Sequence, residues 1–65
     1  MRIRLNGEEI DTTAKDLAAL IEDRGFDVSG VATALNGEFV PRALRAETRL
    51  AEGDAVEVLR PMQGG

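Results

Sequence analysis

The chain has 65 residues, 43% of them hydrophobic, a formal charge of −4, and neither cysteine nor histidine. That length supports one domain, with little room for an enclosed pocket of roughly 300 Å³ or more. The missing residue types remove disulfides, thiolate nucleophiles, thiolate metal sites and the usual general base, so an enzyme acting alone is not expected.

Met1, Ile3 and Leu5 alternate with Arg2 and Arg4, the pattern of a half-buried strand rather than of a signal peptide. Asn6-Gly7 follows, the dipeptide best suited to the positive φ angles of a two-residue hairpin turn. The chain returns through Glu8 to Asp11 with Ile10 inward, giving a first hairpin.

A helix of about three turns is expected next, capped by Thr13, with Asp16 adding negative charge to its first turn. Leu17, Leu20 and Ile21 supply its apolar stripe. Arg24 sits in its last turn, Gly25 takes the closing conformation, and Phe26 folds back onto the helix end.

Val31 to Leu35 reads as a strand whose buried face is open to two readings, because Val31, Thr33 and Leu35 compete with Ala32 and Ala34. A second Asn-Gly pair, Asn36-Gly37, turns it into Glu38-Phe39-Val40, and Pro41 stops the ladder. Residues 42 to 51 read as irregular, anchored by Leu44 and Leu50. Arg42, Arg45 and Arg49 there read as a solvated face. A final strand runs from Ala55 to Arg60, with Val56 and Val58 on one side and Glu57 and Leu59 on the other.

The order strand, strand, helix, strand, strand, strand predicts an α+β domain over residues 1–60. Its single helix can cover only one sheet face. Residues 61–65 are expected to form a flexible tail, Pro61-Met62-Gln63-Gly64-Gly65. The acidic balance and the presence of only two aromatics, Phe26 and Phe39, argue against nucleic acid. No apolar run approaches the ~20 residues of a membrane span, and the chain reads as cytoplasmic.

The glycine pair is the one feature that composition leaves unexplained. With glycine at about 7% of residues, it arises at the last two positions by chance about once in 200. Frayed termini are common, which is the bland explanation. The chemical explanation starts from the α-carboxylate of Gly65, a poor electrophile until it is activated, for example as an acyl-adenylate. Glycine has no Cβ to collide with a narrow tunnel. Five residues reach about 16–18 Å, enough to enter a deep site while the domain docks outside.

Four segments, taken in order and spacing, carry a resemblance. They are Met1-Arg2-Ile3-Arg4-Leu5-Asn6-Gly7, Ala34-Leu35-Asn36-Gly37-Glu38-Phe39-Val40-Pro41-Arg42, Gly53-Asp54-Ala55-Val56-Glu57-Val58, and the terminal Gly64-Gly65. The chain resembles, along nearly its whole length, the ThiS family of thiamine-biosynthesis sulfur carriers, within the ubiquitin-like β-grasp superfamily. The resemblance implies a mixed sheet of about five strands with one helix across one face.

It also implies that Gly65 is adenylated by a ubiquitin-activating-type adenylyltransferase. The chain would bind no cofactor itself, and ATP would be that partner's substrate. A cysteine-desulfurase-like donor system would then supply sulfur for a Gly65 thiocarboxylate, which a thiazole synthase would consume. Family partners dock partly on the sheet face opposite the helix, which makes Leu59, Phe39 and Met62 candidate contacts. Leu59 and Phe39 serve equally well as secondary core residues.

Other readings stay open at this point. They are a carrier for molybdopterin, cysteine or transfer-RNA thiolation, a ubiquitin-like protein modifier, and a non-covalent binding module.

Overall fold

The computed structural model describes residues 1–60. The expected tail, with Met62, Gly64 and Gly65, lies outside the described residues. The elements run β1 (Arg2–Leu5), β2 (Glu8–Asp11), α1 (Leu17–Asp23), β3 (Ala32–Leu35) and β4 (Glu38–Val40), then a 3-10 helix (Arg42–Glu47) and β5 (Ala55–Leu59). The strands form one sheet in the order β2-β1-β5-β3-β4. β1 and β5 pair in parallel, and the other neighbours are antiparallel. This is the ubiquitin-like β-grasp arrangement.

Both hairpins turn where Asn-Gly stands. Asn6 and Gly7 have φ of 52° and 84°, and Asn36 and Gly37 have 50° and 86°. These are the left-handed values that a two-residue hairpin turn requires and that asparagine and glycine tolerate best.

Alternation then sorts the two sheet faces. Ile3, Leu5, Thr33, Val40, Val56 and Val58 point under α1, where Leu17, Leu20 and Ile21 are fully buried. The open choice in β3 resolves to Val31 and Thr33 buried, with Leu35 partly buried against the same core. Phe26 also packs on that core, and its N–H donates to the Ile21 carbonyl at 3.1 Å, as its position after Gly25 suggested.

Five expectations are corrected. The helix has seven residues, nearer two turns than three, and its cap is Asp16, whose Oδ1 accepts from the Ala19 N–H at 2.8 Å. Thr13 does not cap because the helix starts only at Leu17, three residues later than that cap would require. Lys15 and Asp16 are tied to the later segment by Leu50 N–H to Lys15 O at 3.0 Å and Leu17 N–H to Thr48 O at 2.9 Å.

Residues 42–47 form a 3-10 helix, not an irregular stretch. Leu50 anchors it from a buried position, but Leu44 is 48% exposed and anchors nothing.

The largest correction concerns Arg45, which is 3% exposed and no part of a solvated face. Its Nε donates to Thr33 Oγ1 at 3.0 Å, Nη1 to Val28 O at 2.8 Å and Nη2 to Val31 O at 2.7 Å. The Thr33 hydroxyl in turn donates to Val40 O at 2.8 Å. One guanidinium thus satisfies loop carbonyls that no strand partner reaches. Burial, with repulsion from Arg42 added, pushes its pKa below the usual arginine value. Arginine's high intrinsic pKa still keeps it protonated at neutral pH.

Candidate functional site: the open sheet face

A single helix leaves the second sheet face uncovered, and the register decides what that face presents. In β5, Val56 and Val58 point inward, so Glu57 and Leu59 point outward. Leu59 pairs with Ala32, and Ala34 lies between Glu57 on β5 and Phe39 on β4.

The residues that lost the contest for the core in β3 therefore matter here. Ala32 and Ala34, with one methyl group each, leave a low floor between two large side chains. The resulting depression is about 80 Å³ and is lined by Ala32, Ala34, Phe39, Glu57 and Leu59. It is too small for a cofactor. Its size and apolar lining suit a side chain presented by another protein.

Phe39 is 70% exposed and Leu59 is 64% exposed. Neither fills a secondary core position, which removes that half of the earlier alternative. Large apolar residues grouped on an otherwise polar surface mark interaction sites more often than scattered ones do. The third candidate contact, Met62, and the glycine pair lie outside the described residues.

The β1–β2 half of the same face is charged. Arg2 meets Asp11 at 3.3 Å and Glu9 at 3.7 Å, in pairs exposed enough to contribute little stability. Arg4 stands beside them, opposite Glu9 and next to Ala55 on β5.

The family resemblance and strand alternation singled out Leu59 and Phe39, but neither could identify the alanine floor. That required knowing which face of β3 is buried. Among the described residues no group of three or more acidic side chains is placed to hold a metal ion. No described helix is long and apolar enough to cross a membrane.

A profile described as the ThiS family matches residues 3–65. The chain belongs to the ThiS family. A ThiS relative from Thermus thermophilus, named sulfur carrier protein ThiS, is 39% identical over 61 residues, covering 94% of this chain and 95% of its own. A crystal structure described as thiamine biosynthesis protein (ThiS) from Geobacter metallireducens superposes with a TM-score of 0.86 at 29% identity, covering all of both chains. A solution structure of a thiamine biosynthesis protein from the same organism gives a TM-score of 0.80 at 30% identity, over all of this chain and 88% of the other. The ThiS fold is thus shared over the described domain rather than over a fragment.

Proposed function

We propose that the chain is a sulfur carrier in thiamine biosynthesis and that its reactive atom is the carboxyl carbon of Gly65. The observation that carries this reading is the extent of the family match, which runs through residue 65 and so includes the glycine pair. The names of the relatives point to the same pathway.

The chemistry follows from a terminal carboxylate. One Gly65 oxygen attacks the α-phosphorus of ATP on an adenylyltransferase, pyrophosphate leaves, and a mixed anhydride with AMP forms. The outer sulfur of a persulfide on a cysteine-desulfurase-like donor then attacks the carbonyl carbon and AMP leaves with the oxygen; a thiol cleaves the resulting acyl disulfide, which releases the Gly65 thiocarboxylate and leaves a disulfide on the donor side. A thiazole synthase takes up that sulfur. The chain lowers no barrier itself: it supplies the end to be charged and the surface by which it is held. ATP is the partner's substrate rather than a bound cofactor.

Phe39 and Leu59, with Met62 beyond them, are the residues assigned to docking. Burying two such side chains stabilises a complex by about 1.5–3 kcal/mol each. Leu59→Glu would place a charge where the partner needs an apolar surface. Expected results are a partner Kd at least about 10-fold weaker in titration calorimetry and a Tm change of no more than about 4 °C, because surface substitutions cost little. Unchanged affinity would remove Leu59 from the docking surface.

The function itself is tested by reconstitution with the adenylyltransferase, the sulfur donor and thiazole synthase. Thiazole phosphate should form with the full chain and not with a chain lacking Gly64 and Gly65. Equal product from both would refute the carrier role.

A further inference from the structure

β5 is the strand that leads to the terminal residues, and it is held unevenly along its length. On the β3 side its pairing continues to Leu59, opposite Ala32. On the β1 side the paired register ends at Leu5 and Val56, because β1 turns away at Asn6-Gly7. Asn6 N–H donates to Val56 O at 2.9 Å as the last backbone rung.

The backbone groups of Val58 point to that same β1 side, since successive residues of a strand face opposite neighbours. They are met by a side chain instead of a strand. Val58 N–H donates to Asn6 Oδ1 at 2.8 Å, and Asn6 Nδ2 donates to Val58 O at 3.2 Å. A carboxamide has the donor and acceptor of a peptide group, so the Asn6 side chain adds one more rung to the parallel ladder after the backbone has left it. The contact joins residues 52 positions apart.

We infer that Asn6 is a positioning residue that orders the end of β5, so that Leu59 is presented to the activating enzyme in one geometry. This rests on the carrier reading above. Without the clamp, Val58 loses both partners on the β1 side, and docking must order the strand end before Leu59 can seat.

Asn6→Gly is the informative variant, because glycine keeps the positive φ of the turn and removes only the carboxamide. Amide exchange of Val58 should accelerate about tenfold, the equivalent of one net hydrogen bond, with Leu20 in the helix unchanged. In the adenylation assay KM for the carrier should rise about fivefold with kcat within about twofold, the pattern of lost ordering rather than lost chemistry. Asn6→Asp keeps the turn and the acceptor but sets a carboxylate oxygen against the Val58 carbonyl, and should raise KM similarly.

Uniformly faster exchange at Val58 and Leu20 alike would reduce Asn6 to a stability residue and overturn the proposal. So would an unchanged KM despite local loosening. Failure of the wild-type chain to be adenylated at all would instead overturn the carrier reading, and the role of Asn6 with it.

Discussion

Gly65→Trp abolishes adenylation and leaves the fold intact: this is the largest functional effect the account predicts. On the proposed reading, the Gly65 carboxylate has to reach the α-phosphate of ATP inside another protein, and an indole at residue 65 would block a passage fitted to a chain without side chains. Misplacing a reacting group by about 1 Å costs roughly 100-fold, so pyrophosphate release should fall by at least that factor. The last buried member of the core cluster is Val58, seven positions before residue 65 in the sequence. The Tm should therefore stay within about 4 °C of wild type. Pyrophosphate release at the wild-type rate would show that no narrow passage exists.

The largest effect on stability is expected at Arg45. Arg45→Ala removes one donor group and strands three acceptors: the carbonyls of Val28 and Val31 and the Thr33 hydroxyl. Each unsatisfied buried group costs about 1–3 kcal/mol, so a total near 4 kcal/mol is expected. A domain of 65 residues has only about 3–10 kcal/mol to lose. Urea unfolding should shift to a much lower midpoint, or the variant should be unfolded in buffer. Arg45→Lys recovers little, since one ammonium cannot reproduce three divergent N–H directions. Arg42→Ala, at an exposed neighbour, should change the midpoint little. A loss below about 1 kcal/mol for Arg45→Ala would mean that water replaces the guanidinium at little cost.

The contrast between Arg45 and Leu44 shows where sequence reading runs out. Strands were legible because a period of two and Asn-Gly turns are local signals, as in Ile3-Leu5, Asn6-Gly7 and Asn36-Gly37. The inward Val56 and Val58 followed from the same period. Arg45 and Leu44 are placed instead by tertiary demand. Carbonyls in the chain leading into β3 need donors, and the 3-10 helix turns the arginine toward them and the leucine outward. Nothing within residues 42–51 announces that need.

The helix start was misjudged for a related reason. Thr13 and Asp16 are both acceptable caps locally, and the backbone bridge between Asp16 and Arg49 ties the chain to the later segment just where the helix begins. Of the open sheet face, the outward position of Leu59 was legible by alternation. The alanine floor was not, because two small residues in β3 look equally at home on either side.

Intact mass of the chain after incubation with the adenylyltransferase, ATP and the sulfur donor tests the central claim most directly. The account predicts a species about 16 Da heavier, oxygen replaced by sulfur, with the gain confined to the C-terminal peptide and absent when ATP is withheld. An unchanged mass in the presence of an active adenylyltransferase, or a ladder of adducts joined through lysine, would contradict it.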